Sequence, residues 1–220
     1  MGSSTATRTI TVKLFEDFIC PWCRIGRANL AQALRRWTGV PVDVRHRPYL
    51  LDPGIPPEGN DYHAYLEYTL GGNANQVNDA VIAAGKRAGV EFDFSAMRYI
   101  PNTLAAHMLV EIAPESAREA IVSDLYDGYF VHMRNIGSID VLAEIGMRHG
   151  MKEPLIRAID ASHPARLQVV ESIREAHTLG ISGVPFFIVG DAYGVSGAQP
   201  ADSLLQVLGM VSDEETGNGQ

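Results

Sequence analysis

Only two of the 220 residues are cysteine, and they stand three positions apart in Cys20-Pro21-Trp22-Cys23. That excludes a small secreted fold stapled by several disulfides, since a bridge across two intervening residues closes too short a loop to restrict the unfolded chain much. Apolar runs of the roughly 18–20 residues that span a bilayer are lacking, which argues against a membrane partner. Basic residues are in deficit: 18 Lys+Arg against 26 Asp+Glu leave a net charge of −8. Nucleic acid or an anionic membrane is therefore not expected as a main partner. The opening Met1–Arg8 has no apolar stretch of the kind that marks a secretory signal, so a cytoplasmic location is expected. Internal repeats and low-complexity tracts are missing as well. What remains is 46% hydrophobic and 20% charged, a globular composition. At this length one core suffices, or one domain with a sizeable insertion.

Periodicity divides the chain into three parts. Ile10, Val12 and Leu14 alternate with Thr11 and Lys13, the period of a strand. Glu16 to Ile19 reads as a short acidic turn. Leu30, Ala33, Leu34 and Trp37 then recur at helical spacing, and Pro21 suits the first turn, where its missing N–H costs nothing. Gly39 is the expected stop, and Val40, Val42, Val44 and His46 share one face of a second strand. From Leu51 to about Gly180 the period is almost entirely helical, with helices expected near 61–70, 75–89, 103–112, 115–134, 138–149, 153–160 and 164–179. Asp61, Asn102 and Ser138 are their candidate caps, and Gly72, Gly89, Gly150 and Gly180 their stops. Phe186–Val189 is a compact apolar strand; a turn leads to a short partner around Tyr193–Val195, and Pro200 opens a final helix. The reading is an α/β domain made of 8–55 and 178–212, a helical insertion over 56–177, and a flexible polar tail over 213–220.

Two cysteines that do not staple a fold are candidates for chemistry. On a helix, residues i and i+3 hold their Cβ atoms about 5–6 Å apart, and a disulfide needs about 3.8 Å. A small adjustment in the first turn closes the pair and opens it again. Cys20 stands at the helix start, where unpaired N–H groups and the positive dipole end favour a thiolate over the ~8.5 pKa of a free thiol. Cys23 is one turn in and more covered. Arg24 and Arg27 add positive charge nearby, although both can point to solvent. The expected roles are Cys20 as attacking thiolate and Cys23 as resolving thiol. A zinc half-site is the competing reading, but no second Cys pair exists and the histidines show no ligand spacing, so no metal is expected.

The stretch Asp17-Phe18-Ile19-Cys20-Pro21-Trp22-Cys23-Arg24-Ile25-Gly26 resembles the active site of DsbA-like thioredoxin-fold oxidoreductases, in particular the FrnE branch. Arg47-Pro48-Tyr49-Leu50-Leu51, Pro101-Asn102-Thr103 with Ala106-His107, Gly183-Val184-Pro185-Phe186-Phe187 and Gly197-Ala198-Gln199-Pro200 are similar to further family segments, in the same order, over about Thr9 to Val211. The resemblance implies a thioredoxin-like fold with a large all-helical insertion. It also implies thiol–disulfide exchange on protein or peptide substrates, with no cofactor beyond the Cys20–Cys23 pair. A glutathione-dependent transferase or isomerase on the same scaffold, similar to kappa-class glutathione transferases or 2-hydroxychromene-2-carboxylate isomerases, is the alternative. Glutathione is accordingly a possible partner.

Other site assignments follow from that resemblance. Pro185 is expected in cis, turning the backbone of Val184 toward Cys20 for pairing with an extended substrate. Trp22 either contacts substrate or packs onto the insertion. His107 either faces the site or is a satisfied core histidine. The sequence departs from the family pattern where a buried acid is usual on the first strand: Leu14 occupies that place. Glu16 is expected as a solvated turn residue, while Asp17 is evenly a proton acceptor or part of the same turn. Tyr62, Tyr65, Tyr68, Met108, Phe130 and Met133 are expected to pack the insertion.

Overall fold

A computed structural model describes residues 8–217. The expected β-α-β opening consists of β1 (Ile10–Glu16), α1 (Pro21–Arg36) and β2 (Val42–Pro48). The closing part contains β5 (Phe186–Val189), β6 (Tyr193–Ser196) and α9 (Ala201–Gly217). These four strands make one sheet in the order β2-β1-β5-β6. β1 runs parallel to β2, with Ile10 opposite Val42 and Glu16 opposite Pro48. β5 is antiparallel to β1, and β6 to β5.

Strand alternation assigns each face its own core. Ile10, Val12 and Leu14 point to one side with Phe187 and Val189. There they meet Leu30 and Ala33 of α1 and Leu204, Leu208 and Val211 of α9. Phe15 points to the other side, with Tyr49, Ala176 and Ile181. Each such apolar side chain contributes about 1.5–3 kcal/mol when fully buried. Glu16 has the parity of Leu14, so the strand directs it beneath α1, and its exposure is 0%.

Between the two parts of the sheet lie α2 (Tyr62–Leu70), α3 (Ala74–Ala88), α4 (Leu104–Ile112), α5 (Glu115–Phe130), α6 (Ile139–Arg148), α7 (Glu153–Arg157) and α8 (Ala165–Thr178). The Asp61 side chain caps α2 by accepting from the Ala64 N–H at 2.8 Å. Gly89 closes α3 and Gly180 follows α8, both at positive φ, a conformation glycine adopts without a Cβ penalty. The insertion is not purely helical: β3 (Asn60–Asp61) pairs with β4 (Tyr99–Ile100). Two-residue strands are too short to leave an alternating pattern. Tyr62, Met108 and Phe130 are buried in the insertion core and Tyr65 and Met133 pack against it, but Tyr68 stands 91% exposed and packs nothing. α9 continues to Gly217, into the polar tail expected from 213. Residues 1–7 and 218–220, which carry the leader reading and the tail's end, lie outside the described residues. Among the described residues no helix is long and apolar enough to cross a membrane.

Candidate functional site

α1 begins at the cysteine motif. Cys20 is its N-cap, with extended backbone (φ −86°, ψ 110°), and Pro21 occupies the first helical position. The Cys20 N–H donates to the Asp17 carbonyl at 3.0 Å, and the Cys20 carbonyl accepts from the Cys23 N–H at 3.1 Å. No acidic residue sits in the first turn of α1, so the positive end of the helix dipole beside Cys20 is unopposed there. Both cysteines are free thiols. Cys20 is 4% exposed and Cys23 fully buried, in a cluster with Phe18, Tyr62, Tyr126 and Phe130. The motif therefore lies where the sheet domain meets the helices between β2 and β5.

The loop before β5 comes to the same place. The Val184–Pro185 peptide bond is cis. The Cys20 thiol reaches the Val184 carbonyl with an Sγ–O distance of 3.5 Å, across 164 positions of sequence. Gly26, one turn beyond Cys23, makes this approach possible. A Cβ on Gly26 would stand 2.9 Å from Cγ of Pro185 and 3.2 Å from the Phe187 ring, and a stiff proline ring has little room to yield.

Behind the sulfurs is a buried polar layer. Glu16, expected in solvent, ends β1 instead and accepts from the Arg27 guanidinium. It also accepts from His46 Nδ1 at 2.7 Å and from the Tyr126 hydroxyl at 2.9 Å. Burial opposes its charge, but Arg27 and these hydrogen bonds outweigh burial and hold the carboxyl below the usual range. His46 is pushed down to about 4, chiefly by burial and despite Glu16. At neutral pH the His46–Glu16 contact is thus a hydrogen bond to a neutral ring rather than an ion pair. Burial pushes the Cys23 thiol well above the ordinary thiol range, and the neighbouring Cys20 and Glu16 raise it further.

Asp17 is also buried rather than solvated, at 1% exposure. Its carboxylate accepts from the Leu51 N–H at 2.7 Å and the Thr103 hydroxyl at 2.7 Å, tying the turn to the start of α4. His107 is fully buried; its Nδ1 lies 3.1 Å from His46 Nε2, and its ring packs tilted against Phe18, with centroids 4.6 Å apart. Arg24 does not point to solvent: it is 8% exposed and pairs with Asp127 at 2.6 Å. Arg27 bridges Glu16 and Glu119. Trp22 is 38% exposed and lines a cleft of about 400 Å³ between α1, α3 and α9.

Alternation puts His46 on one face of its strand with Val42 and Val44, and Thr103 lies in a segment that carries the family resemblance, whereas Tyr126 joined this layer without a sequence signal of its own. Glu16 did carry one: two residues beyond Leu14, it continues the inward face of the strand.

Comparison with known proteins identifies the fold and the family. The DSBA-like thioredoxin domain matches residues 11–209. A probable DsbA oxidoreductase from Streptomyces coelicolor is 31% identical, with a TM-score of 0.83 over 92% of this chain and 89% of that one. A 2-hydroxychromene-2-carboxylate isomerase shares the fold at 15% identity, with a TM-score of 0.71 over 96% and 100% of the two chains. The cytosolic disulfide reductase DsbM from Pseudomonas aeruginosa, solved with glutathione, shares it at 19% identity, with a TM-score of 0.64 over 90% and 98%. The chain belongs to the DSBA-like thioredoxin domain family.

Proposed function

We propose that this protein is a thiol–disulfide oxidoreductase or isomerase acting on protein or peptide substrates through Cys20 and Cys23. The observation that carries the reading is the pair of free thiols in the opening turn of α1, with the Cys20 sulfur 3.5 Å from the Val184 carbonyl. In the reducing direction the Cys20 thiolate attacks one sulfur of a substrate disulfide. A Cys20–substrate disulfide forms and the other substrate sulfur leaves as a thiolate. The Cys23 thiolate then attacks Cys20, forming the Cys20–Cys23 disulfide and expelling the second substrate thiolate. The protein loses two electrons, the substrate gains two, and each expelled thiolate takes up a proton.

Val184 offers backbone groups to an extended substrate, and Trp22 an exposed apolar surface beside the motif. The Cys20–Cys23 pair is the only redox group this chemistry requires. A glutathione-dependent transferase or isomerase needs one nucleophile and gives a second, buried thiol nothing to do, so the pair favours the dithiol reading. Glutathione, present with the DsbM neighbour, enters as a small thiol able to reduce the Cys20–Cys23 disulfide. In a cytoplasmic, reducing setting the exchange runs toward reduction or isomerisation.

The test is turnover of a disulfide-bonded peptide by the reduced protein with a thiol regenerant present. Wild type is expected to turn over and Cys20→Ser to show none. Retained turnover in Cys20→Ser would overturn the reading.

A further inference from the structure

Behind the two sulfurs, four buried side chains form a line of contacts whose hydrogens can be counted. Glu16 is ionised, and a carboxylate offers only lone pairs. His46 Nδ1 must therefore carry the hydrogen of its 2.7 Å bond to Glu16. Its side chain is 6% exposed, and a neutral ring holds one hydrogen, so His46 Nε2 is bare. That bare nitrogen lies 3.1 Å from His107 Nδ1, and the bond between them needs a hydrogen that only His107 can supply. A neutral His107 then has none left for Nε2. That atom is buried with no hydrogen-bond partner and faces Asp17 Oδ1 at 3.6 Å. A lone pair is aimed at a carboxylate until a proton fills the gap.

His46 from β2 and Asp17 from the β1–α1 turn face His107, with Glu16, Arg27 of α1 and Tyr126 of α5 one step behind. The buried faces of α6 (Leu142, Ala143, Ile145) and α8 (Val169, Ser172) bring no ionisable group. Asp17 also joins the line to the cysteines. Its carbonyl accepts from the Cys20 N–H at 3.0 Å, and Glu16, at the far end of the line, acts electrostatically on Cys23. At the other end, His46 and Arg27 form part of the wall of a cleft of about 460 Å³, through which solvent reaches the line.

We propose that Glu16, His46, His107 and Asp17 form a one-proton store, in which His107 Nε2, opposite Asp17, takes up a proton when Cys23 loses one to resolve the mixed disulfide. The inference rests on the assignment of Cys23 as resolving thiol. Cys23–SH and neutral His107 become Cys23–S⁻ and imidazolium, with Asp17 as counter-charge. The thiolate attacks Cys20, the substrate sulfur leaves as a thiolate, and the imidazolium returns its proton through the solvated cleft. His107 and Asp17 touch no substrate in this scheme. They are positioning residues that keep a positive charge available beside a buried anion.

The experiment follows the reduced protein with a nitroaromatic disulfide whose released thiolate is coloured. The first equivalent reports attack by Cys20 and the second reports resolution by Cys23. In His107→Gln, which keeps hydrogen bonding and cannot hold the extra proton, the first release is expected within about twofold of wild type. The second is expected to be about tenfold slower or more near neutral pH, recovering toward wild type in base, in line with what a positioned proton acceptor contributes. Asp17→Asn is expected to slow the same step. A second release unchanged at every pH, or both releases falling together, would overturn the store. A first release that is equal in wild type and Cys20→Ser would instead overturn the exchange reading itself. The wild-type protein gives a measurement that does not depend on a variant folding: ring-nitrogen NMR should show His107 protonated on Nδ1 and bare on Nε2 in the dithiol form. A proton already on Nε2 at neutral pH would overturn the proposal.

Discussion

His46 Nδ1 and Glu16 Oε1 stand 2.7 Å apart, on neighbouring parallel strands beneath the helix that carries both cysteines. Burial of this ring makes the fold sensitive to acid, despite the bond to Glu16. Burial holds the His46 ring neutral down to about 4, whereas in an unfolded chain histidine protonates near 6.5. Between those values the unfolded state binds a proton that the native state refuses, so stability is full above about pH 6.5 and is lost as pH falls toward 4. A difference of that size is worth about 3 kcal/mol. Glu16, held below its usual range, adds a further loss at lower pH. Urea unfolding midpoints are expected to fall steeply between pH 6.5 and 4 in wild type. They should fall less in His46→Gln, whose amide also donates to Glu16. Parallel pH profiles for the two proteins would contradict the assignment.

Glu16→Gln separates charge from shape. Arg27 would lose its buried partner while keeping Glu119, and breaking a buried pair costs about 3 kcal/mol. The same change removes one of the influences that raise the Cys23 thiol. Cys23 in a Cys20→Ser background is therefore expected to titrate at lower pH when Glu16 is Gln. Thiolate absorbance against pH measures this, and a Cys23 titration moved upward by the substitution would count against the electrostatic picture.

Much of the architecture was legible because it rests on repeated patterns. Alternation at Ile10, Val12 and Leu14, helical spacing from Leu30 to Trp37, and the run Phe186–Val189 each report burial of one face against one neighbour. Asp61 could be read as a cap for a local reason, since its side chain serves its own helix. The polar layer could be read only in part: strand parity turns Glu16 and His46 to one face, but their partners come from far along the chain. Whether Glu16 is solvated or buried depends on Tyr126, 110 positions away, and on His46 across a strand pair. Asp17 is held by Thr103, 86 positions away. Whether Arg24 points to solvent could not be read locally, because its partner Asp127 is 103 positions away. The β3–β4 pair was invisible for another reason, since two residues cannot show a period.

Gly26→Ala tests the close approach of α1 to the loop before β5. The added methyl would meet the Pro185 ring at 2.9 Å, and forcing extra volume into a packed contact costs about 1–3 kcal/mol. Because that loop carries Val184 toward Cys20, attack by Cys20 is expected to slow along with the loss of stability. Full stability together with unchanged attack would show that the contact has slack.

Trp22→Ala is expected to cost little stability, within about 1 kcal/mol, because the ring is already 38% exposed. Its effect should appear as a raised KM for peptide disulfides with kcat largely retained. A kcat that falls while KM stays constant would instead place Trp22 among the groups acting in the chemical step.

The most direct measurement is intact-mass analysis of reduced Cys23→Ser after incubation with a disulfide-bonded peptide. With the resolving thiol gone, the account expects one peptide to remain attached per protein chain, located at Cys20 by fragmentation and released by a reductant. Wild type under the same conditions should instead end in an internal Cys20–Cys23 disulfide with no adduct. Attachment absent from Cys23→Ser, or present undiminished when Cys20 is also replaced, would contradict the assignment of Cys20 as the attacking sulfur.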